Sequence, residues 1–409
     1  MSNVSSSNSQ GVRVPKLRFP GFEGEWERGS FSEIFSFLSN NTLSRAELSD
    51  VGEIKNIHYG DVLIKFGDII DANNTNIPYV GSKVVLKKNP DYLQTGDVVI
   101  ADTAEDDTVG KAAEILNTNN IPVISGLHTI PCRPNYPFVP SYLGYYLNSK
   151  SFHEQLYPFM QGIKVTSISK TNIGKTQISY PESIEQSKIA ELLNLISDRI
   201  EKQQQLVEAL KSYKRGFFQR LLSRYQKSEY LIKDIVIEYN EKATIDGQYP
   251  ILSSTMNGIK LQSSYFNKQA ASENTLGYKI VPFGYFTYRS MSDTGVFHFN
   301  YQDIIDYGII SPAYPVFRLS ESNNSRFVEY VLNESDFMKS QLLVAKEGGT
   351  RYALSFSKFQ ELKIELPNKS IQDQIANLIQ LFEHKIKLEE NVLQRLNNLK
   401  TTLLQQLFI

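Results

Sequence analysis

The residues able to do chemistry are few, and their spacing does not suit catalysis. Asn89-Pro90-Asp91-Tyr92 and Ser311-Pro312-Ala313-Tyr314 each fall one proline short of a Pro-Pro-aromatic motif for amino-group methylation. No glycine-rich cofactor turn follows a strand ahead of either, so turns leading into strands are the simpler reading. Residues 101–107 hold Asp102, Glu105, Asp106 and Asp107 without the lysine of a metal-dependent nuclease, and read as a solvated acidic loop rather than a metal site. Lys346-Glu347-Gly348-Gly349-Thr350 lacks the lysine that a phosphate-cradling loop places after its glycines. Cys132, the single cysteine, has no activating partner in its neighbourhood and reads as a small buried residue. The five histidines are scattered and complete no zinc-ligand spacing. No active site and no metal site are expected.

Recognition-type residues are better represented. Gln161, Lys164, Thr166 and Ser167 sit in one loop, and Thr350, Arg351 and Tyr352 in another at a corresponding place. Residues 253–257 contribute Ser254, Thr255 and Asn257; residues 288–292 contribute Arg289; nearer the N-terminus stand Asn73, Asn74, Thr75, Asn76 and Lys83. Arg, Lys, Asn and Gln can contact base edges in two places at once, while Ser, Thr and Tyr position phosphates. Any one of these segments alone would pass for an ordinary polar loop. Residues 211–227 add Lys211, Lys214, Arg215, Arg220, Arg224 and Lys227 with no acidic residue among them. Such a run suits phosphates, and suits equally a solvated helix end complementing the helix dipole.

These loops are held by a duplicated framework. The 42 residues from Pro181 align without a gap to the 42 from Pro367, an offset of 186, with 11 identities that include Gln186/Gln372, Ile189/Ile375, Ala190/Ala376, Ile200/Ile386 and Lys214/Lys400. Each copy reads as one long helix. Ile189, Leu193, Ile196, Ile200, Gln203, Val207, Leu210 and Lys214 recur in steps of four and three, as do Ile375, Ile379, Phe382, Ile386, Glu389, Leu393, Leu396 and Lys400. That is the 3.5-residue period of a coiled-coil seam, and the two seams are expected to pack on each other, antiparallel. The matching polar positions Gln203/Glu389 and Lys214/Lys400 are expected to fix the register of that pairing.

Upstream the likeness fades but persists. Gly162/Gly348, Ile168/Leu354, Ile173/Phe359 and Ile178/Ile364 keep their character, Leu147-Asn148 matches Leu332-Asn333, and Asp107-Thr108 falls opposite Asp293-Thr294. Short β-branched and aromatic runs at 97–101, 121–125, 279–281 and 285–288 read as strands, with helical patches at 140–148 and 326–337, so each variable part is an α+β domain with a curved sheet. Two such units and a polar leader account for the 409 residues. A net charge of −1 gives no overall attraction to nucleic acid. One cysteine makes a reducing, cytoplasmic setting the default, and no apolar run reaches the ~20 residues of a membrane span.

Two variable domains, each followed by a similar long helix, resemble the specificity (S) subunit of type I restriction–modification systems. Pro15-Lys16-Leu17-Arg18-Phe19-Pro20-Gly21-Phe22, continuing to Trp26, is similar to the start of such subunits in low-GC Gram-positive bacteria. Ile57-His58-Tyr59-Gly60-Asp61 is similar to a phrase near the start of a target-recognition domain, and residues 214–222 to the end of the central conserved helix. The resemblance implies a disordered leader at 1–14, target-recognition domains at 15–180 and 226–366, and conserved helices at 181–225 and 367–409, with pseudo-two-fold symmetry. It implies a non-catalytic subunit that reads a bipartite, asymmetric double-stranded DNA site, the paired helices setting the spacer. Its partners would be two methyltransferase (M) subunits carrying S-adenosylmethionine and two restriction (R) subunits using ATP and Mg, with no cofactor on this chain. The base-contact candidates are then Asn73, Asn74, Lys83, Lys164, Thr166, Ser254, Thr255, Asn257, Arg289, Thr350, Arg351 and Tyr352. The helix-packing set is Ile189, Ile196, Ile200, Leu210, Ile375, Phe382, Ile386 and Leu396. The competing reading is a duplicated coiled-coil adaptor without DNA readout; a self-contained restriction–methylation enzyme would need catalytic motifs that are missing.

Overall fold

The computed structural model describes residues 14–86, 90–106, 108–119, 121–162, 165–265 (backbone alone at 264 and 265), 274–348 and 351–409. The leader expected at 1–14 lies outside these up to residue 13, as do the candidates Lys164 and Thr350. The chain divides into two compact units, Met1–Gln204 with Asn391–Ile409, and Gln205–Glu390. Helix α1 (Ser183–Arg224) begins in the first unit and ends in the second; helix α2 (Lys369–Gln406) does the reverse.

The seam positions explain where these helices face. Ile189, Leu193, Gln203, Val207, Ile375, Ile379 and Ile386 are buried, while Ile196, Ile200, Leu210, Phe382 and Leu396 are half-buried. Leucines off the seam stay exposed, Leu195 at 68% and Leu381 at 67%. In the second unit the helices run antiparallel: Lys211 meets Glu390 at 2.9 Å, Lys214 meets Glu383 at 3.0 Å, and the Phe217 and Phe382 rings lie 5.4 Å apart.

The matching lysines reach the globular parts, and only Lys214 also pairs with the other helix. Lys214 also lies 5.7 Å over the Tyr330 ring. Lys400 pairs with Asp68 of the globular part at 2.6 Å rather than with a helix, and lies 5.3 Å over the equivalent Tyr145. Each of these two lysines therefore also anchors a helix to the domain packed on it.

Both units repeat one sheet. In the first, strands Phe35–Phe37, Thr129–Pro134, Val98–Ala101 and Ala112–Leu116 lie side by side in that order, with Ile69–Asp71 at the edge. In the second the order is Val236–Glu238, Val316–Leu319, Phe286–Tyr288, Phe299–Tyr301. The alternating apolar residues of these strands form the cores, Val98, Ile100 and Cys132 in one and Phe286, Tyr288 and Phe317 in the other. The helical patch expected at 326–337 is two helices, Ser325–Glu334 and Asp336–Ala345, because Ser335 adopts an extended backbone and caps the second.

Identities between the copies mark shared backbone stitching. Asn148 accepts from the Ala112 amide at 3.0 Å and donates to its carbonyl at 2.7 Å; Asn333 does the same to Phe299, at 2.9 and 2.8 Å. Asn333 thus acts as one more strand residue on the sheet edge, and Asn148 continues the row of Ile69–Asp71 where that strand's pairing stops. Gln186 donates to the Pro181 carbonyl and accepts from the Val139 amide; Gln372 donates to the Pro367 carbonyl and accepts from the Asn324 amide.

The constant offset of 186 does not hold throughout. The opening Glu27–Ser30, Phe31–Ile34, Phe35–Phe37 recurs as Ser228–Leu231, Ile232–Ile235, Val236–Glu238, 201 residues on, so the first domain is 15 residues longer. The first carries a further four-stranded sheet, Val123–Ser125, Lys55–Ile57, Tyr79–Val80 and Leu48–Ser49; the second carries a hairpin, Leu252–Thr255 with Gly258–Leu261.

Glu114 gives the first unit a pH dependence. Its carboxylate accepts from the Ser141 and Gly144 amides, both at 2.9 Å, yet burial pushes its pKa up to about 7. A carboxyl that holds its proton more tightly folded than unfolded stabilises the fold below the unfolded value and loses that contribution as pH rises toward 7. Thermal melts should show the first unit losing up to about 3 kcal/mol between roughly pH 4.5 and 7. Glu114→Gln should flatten that slope, and an unchanged slope would remove Glu114 as its source.

Candidate nucleic-acid interface

Each domain extends one short two-stranded ribbon beyond its sheet. In the first, Thr103–Ala104 pairs with Thr166–Ser167; in the second, Met291–Ser292 pairs with Tyr352–Ala353. The loops at their ends close alike. Gln161 and Ser167 exchange two backbone hydrogen bonds at 3.0 and 2.8 Å, and Glu347 and Ala353 do so at the same distances. In both, the residue after the first closing position is a left-handed glycine, Gly162 at φ +128° and Gly348 at φ +102°. A side chain there would collide with the next turn of the loop, since a β-carbon would stand 1.8 Å from the Val165 carbonyl oxygen and 2.2 Å from that of Arg351. The loop residues themselves differ completely, Val165-Thr166 in one and Arg351-Tyr352 in the other.

A cleft borders each ribbon. In the second domain it has a volume of about 680 Å³ and collects Ser254, Thr255, Asn257 and Arg289 from segments far apart in sequence. Asp293 lines it too and pairs with Arg351 of the ribbon at 3.0 Å. Behind this surface Lys346 lies 4.3 Å over the Tyr352 ring, and buried Asn300 donates to the Ser254 hydroxyl at 2.7 Å. All described candidates of the second domain therefore meet around one cleft and its ribbon.

The first-domain cleft, about 420 Å³, has different chemistry. Asp102 accepts from the Thr103 hydroxyl at 2.7 Å and faces His128 Nδ1 at 3.2 Å, with Gln161, Ser167 and Asn172 completing a polar wall. Thr166 is on the bordering ribbon. Asn73, Asn74 and Lys83 do not line this cleft. Asn73 and Asn74 fold back on Asp71 in a turn after Ile69–Asp71, the Asn74 amide donating to its carboxylate at 2.8 Å, and Lys83 is exposed beyond Tyr79–Val80.

Two sequence expectations change. Strand pairing makes Met291 the counterpart of Thr103, so Asp293 corresponds to Glu105 rather than to Asp107, which lies outside the described residues. The reason is that the chain between the two strands of the ribbon is two residues shorter in the second domain, so the offset is 188 at Thr103/Met291 and 186 at Ser167/Ala353. The basic run is also half spent internally: Lys211, Lys214 and Lys227 pair with Glu390, Glu383 and Glu365, and Arg215, Arg220 and Arg224 remain exposed. Sequence reading missed Asp293 and His128 as site residues because neither stands beside its partner; Asp102 and His128 are 26 residues apart.

No three carboxylate, histidine or cysteine side chains cluster as metal ligands among the described residues. Burial pushes the Cys132 thiol far above its ordinary range, which leaves it unionised and inert.

The family described as type I restriction modification DNA specificity domain matches twice, over residues 23–212 and 230–398. The chain belongs to this family. It is accordingly a DNA sequence-recognition subunit. The fold is similar to that of the type I restriction–modification S subunit from M. genitalium, at 14% identity and a TM-score of 0.53 over 97% of this chain and 99% of that one. It is similar also to a chain from a study of complex assembly and conformational transition of a type I R-M system, at 15% identity and 0.54, over 96% and 99%. No curated protein sequence matches the chain. No helix among the described residues of this S-family chain is long and apolar enough to cross a membrane.

Proposed function

We propose that this chain reads a bipartite, asymmetric DNA sequence, one half per domain, and brings methyltransferase and restriction subunits to it without catalysing a reaction itself. The observation that carries this reading is one ribbon-and-cleft framework built twice with unlike side chains. Equivalent frameworks give two reading heads, and unlike linings give two different half-sites.

Partner docking finds support on the outer faces of the helices. Leu195, Leu206 and Tyr213 of α1 are exposed in steps of eleven and seven residues, close to whole turns at ~3.6 residues each. Leu381, Val392 and Leu399 repeat them at the 186-residue offset on α2. A twice-repeated apolar stripe suits two copies of one partner, which we identify as the methyltransferase subunit. S-adenosylmethionine would then reside on that subunit and ATP with Mg on two restriction subunits, in the cytoplasm.

Methylation mapping in cells carrying the chain with its methyltransferase tests this. The expected motif is two short half-sites around an unspecified spacer. Exchanging residues 228–366 for those of a divergent relative should change one half only. A contiguous motif, or both halves altered by that exchange, would overturn the reading.

A further inference from the structure

Asp293 is out of place on a surface that must approach a polyanion. It is the only acidic residue lining the second-domain cleft among the described residues, and its side chain is 71% exposed. A carboxylate near phosphates costs affinity unless it meets a donor. Arg351 Nε stands 3.0 Å from one oxygen of it, and no hydrogen bond among the described residues engages the second carboxylate oxygen or the terminal nitrogens of Arg351. Arg289, four residues before Asp293 and lining the same cleft, is exposed and has no ion-pair or hydrogen-bond partner among the described residues.

The geometry points to Arg289 and Asp293 as the pair that specifies a G·C base pair in the half-site read by the second domain. This rests on the DNA-reading role proposed above. In the major groove, guanine presents two acceptors, N7 and O6, and cytosine one donor, its N4 amino group. A free guanidinium matches the first and an open carboxylate oxygen the second. An A·T pair in the same place would set an acceptor, thymine O4, against the carboxylate. Arg351, tethered by Asp293, keeps its terminal nitrogens for the neighbouring phosphate. Asp293 therefore serves twice, accepting from the correct base and repelling backbone phosphates when the register is wrong.

The test uses the whole chain with its methyltransferase subunit and reads base preference at every motif position. The wild-type half-site of the second domain should contain a G·C pair. Arg289→Gln should lower methylation of that site at least about tenfold, since guanine loses its bidentate donor while Asp293 still faces thymine O4 with an acceptor. Asp293→Asn, isosteric and at an exposed position, keeps the fold and should weaken the discrimination against A·T at that position while DNA binding is retained or tightened. If Arg289→Gln abolishes all methylation, Asp293→Asn decides. A wild-type half-site without G·C, or unchanged preferences in Asp293→Asn, would overturn the assignment while leaving the bipartite reading intact. A wild-type complex that methylates no bipartite motif would remove that reading and this inference with it.

Discussion

Removing residues 401–409 should unfold the first recognition domain and leave the second folded. Leu403, Leu407 and Phe408 are buried in the core of the first unit, where the Phe408 ring stands 5.6 Å from Tyr146, 5.8 Å from Tyr142 and 6.5 Å from Trp26. The Leu17 amide donates to the Gln406 carbonyl at 3.0 Å, and Ser151 donates to that of Phe408 at 3.1 Å. Arg18 completes the clasp by gripping buried Glu185 with two hydrogen bonds of 2.8 Å. Emptying sites of this kind costs ~2–5 kcal/mol for each leucine and ~3–5 for the phenylalanine. The sum is on the order of 10 kcal/mol, as large as the whole stability of an ordinary domain. The second unit keeps its own version of the plug, since Phe218 and Leu222 sit in its core near the end of α1. Hydrogen exchange should therefore show lost protection across residues 14–180 and native protection across 228–366. Protection retained in both would show that the C-terminal residues are dispensable for the first unit. Phe408→Ala alone should lower the melting temperature of the first domain without abolishing it.

Replacing either ribbon glycine with alanine should cost recognition far more than stability. Gly162 and Gly348 hold backbone conformations that a side chain disfavours by ~1–3 kcal/mol, and an added methyl would in addition overlap a carbonyl oxygen. The loop must reopen to relieve that overlap, which breaks the two backbone hydrogen bonds closing it. Neither glycine belongs to a hydrophobic core, so the melting temperature should move by only a few degrees. Base contacts carried by the loop are worth ~1–3 kcal/mol each. Gly348→Ala should thus weaken methylation of the half-site read by the second domain at least about tenfold with the first half-site's preferences unchanged, and Gly162→Ala should do the converse. Wild-type methylation in both variants would place the reading surface elsewhere.

Much of this architecture is legible in local patterns. The duplication, the two long helices and the buried side of each follow from residues such as Ile189, Ile196 and Ile386, because helix periodicity depends on neighbours three and four positions away. The glycine pair is visible for the same reason: Gly162 and Gly348 keep a backbone shape that only the next few residues define. What tertiary structure decided is which distant residues share a surface. Arg351 and Asp293 are 58 residues apart and meet only through the pairing of Met291–Ser292 with Tyr352–Ala353, whose register depends on loop lengths that no periodicity encodes. The same holds for Lys400, whose partner Asp68 stands 332 residues earlier, and for Phe408, which completes a core begun at Trp26. Those contacts come from burying one surface against another, and a linear pattern carries the faces to be buried but not their partners.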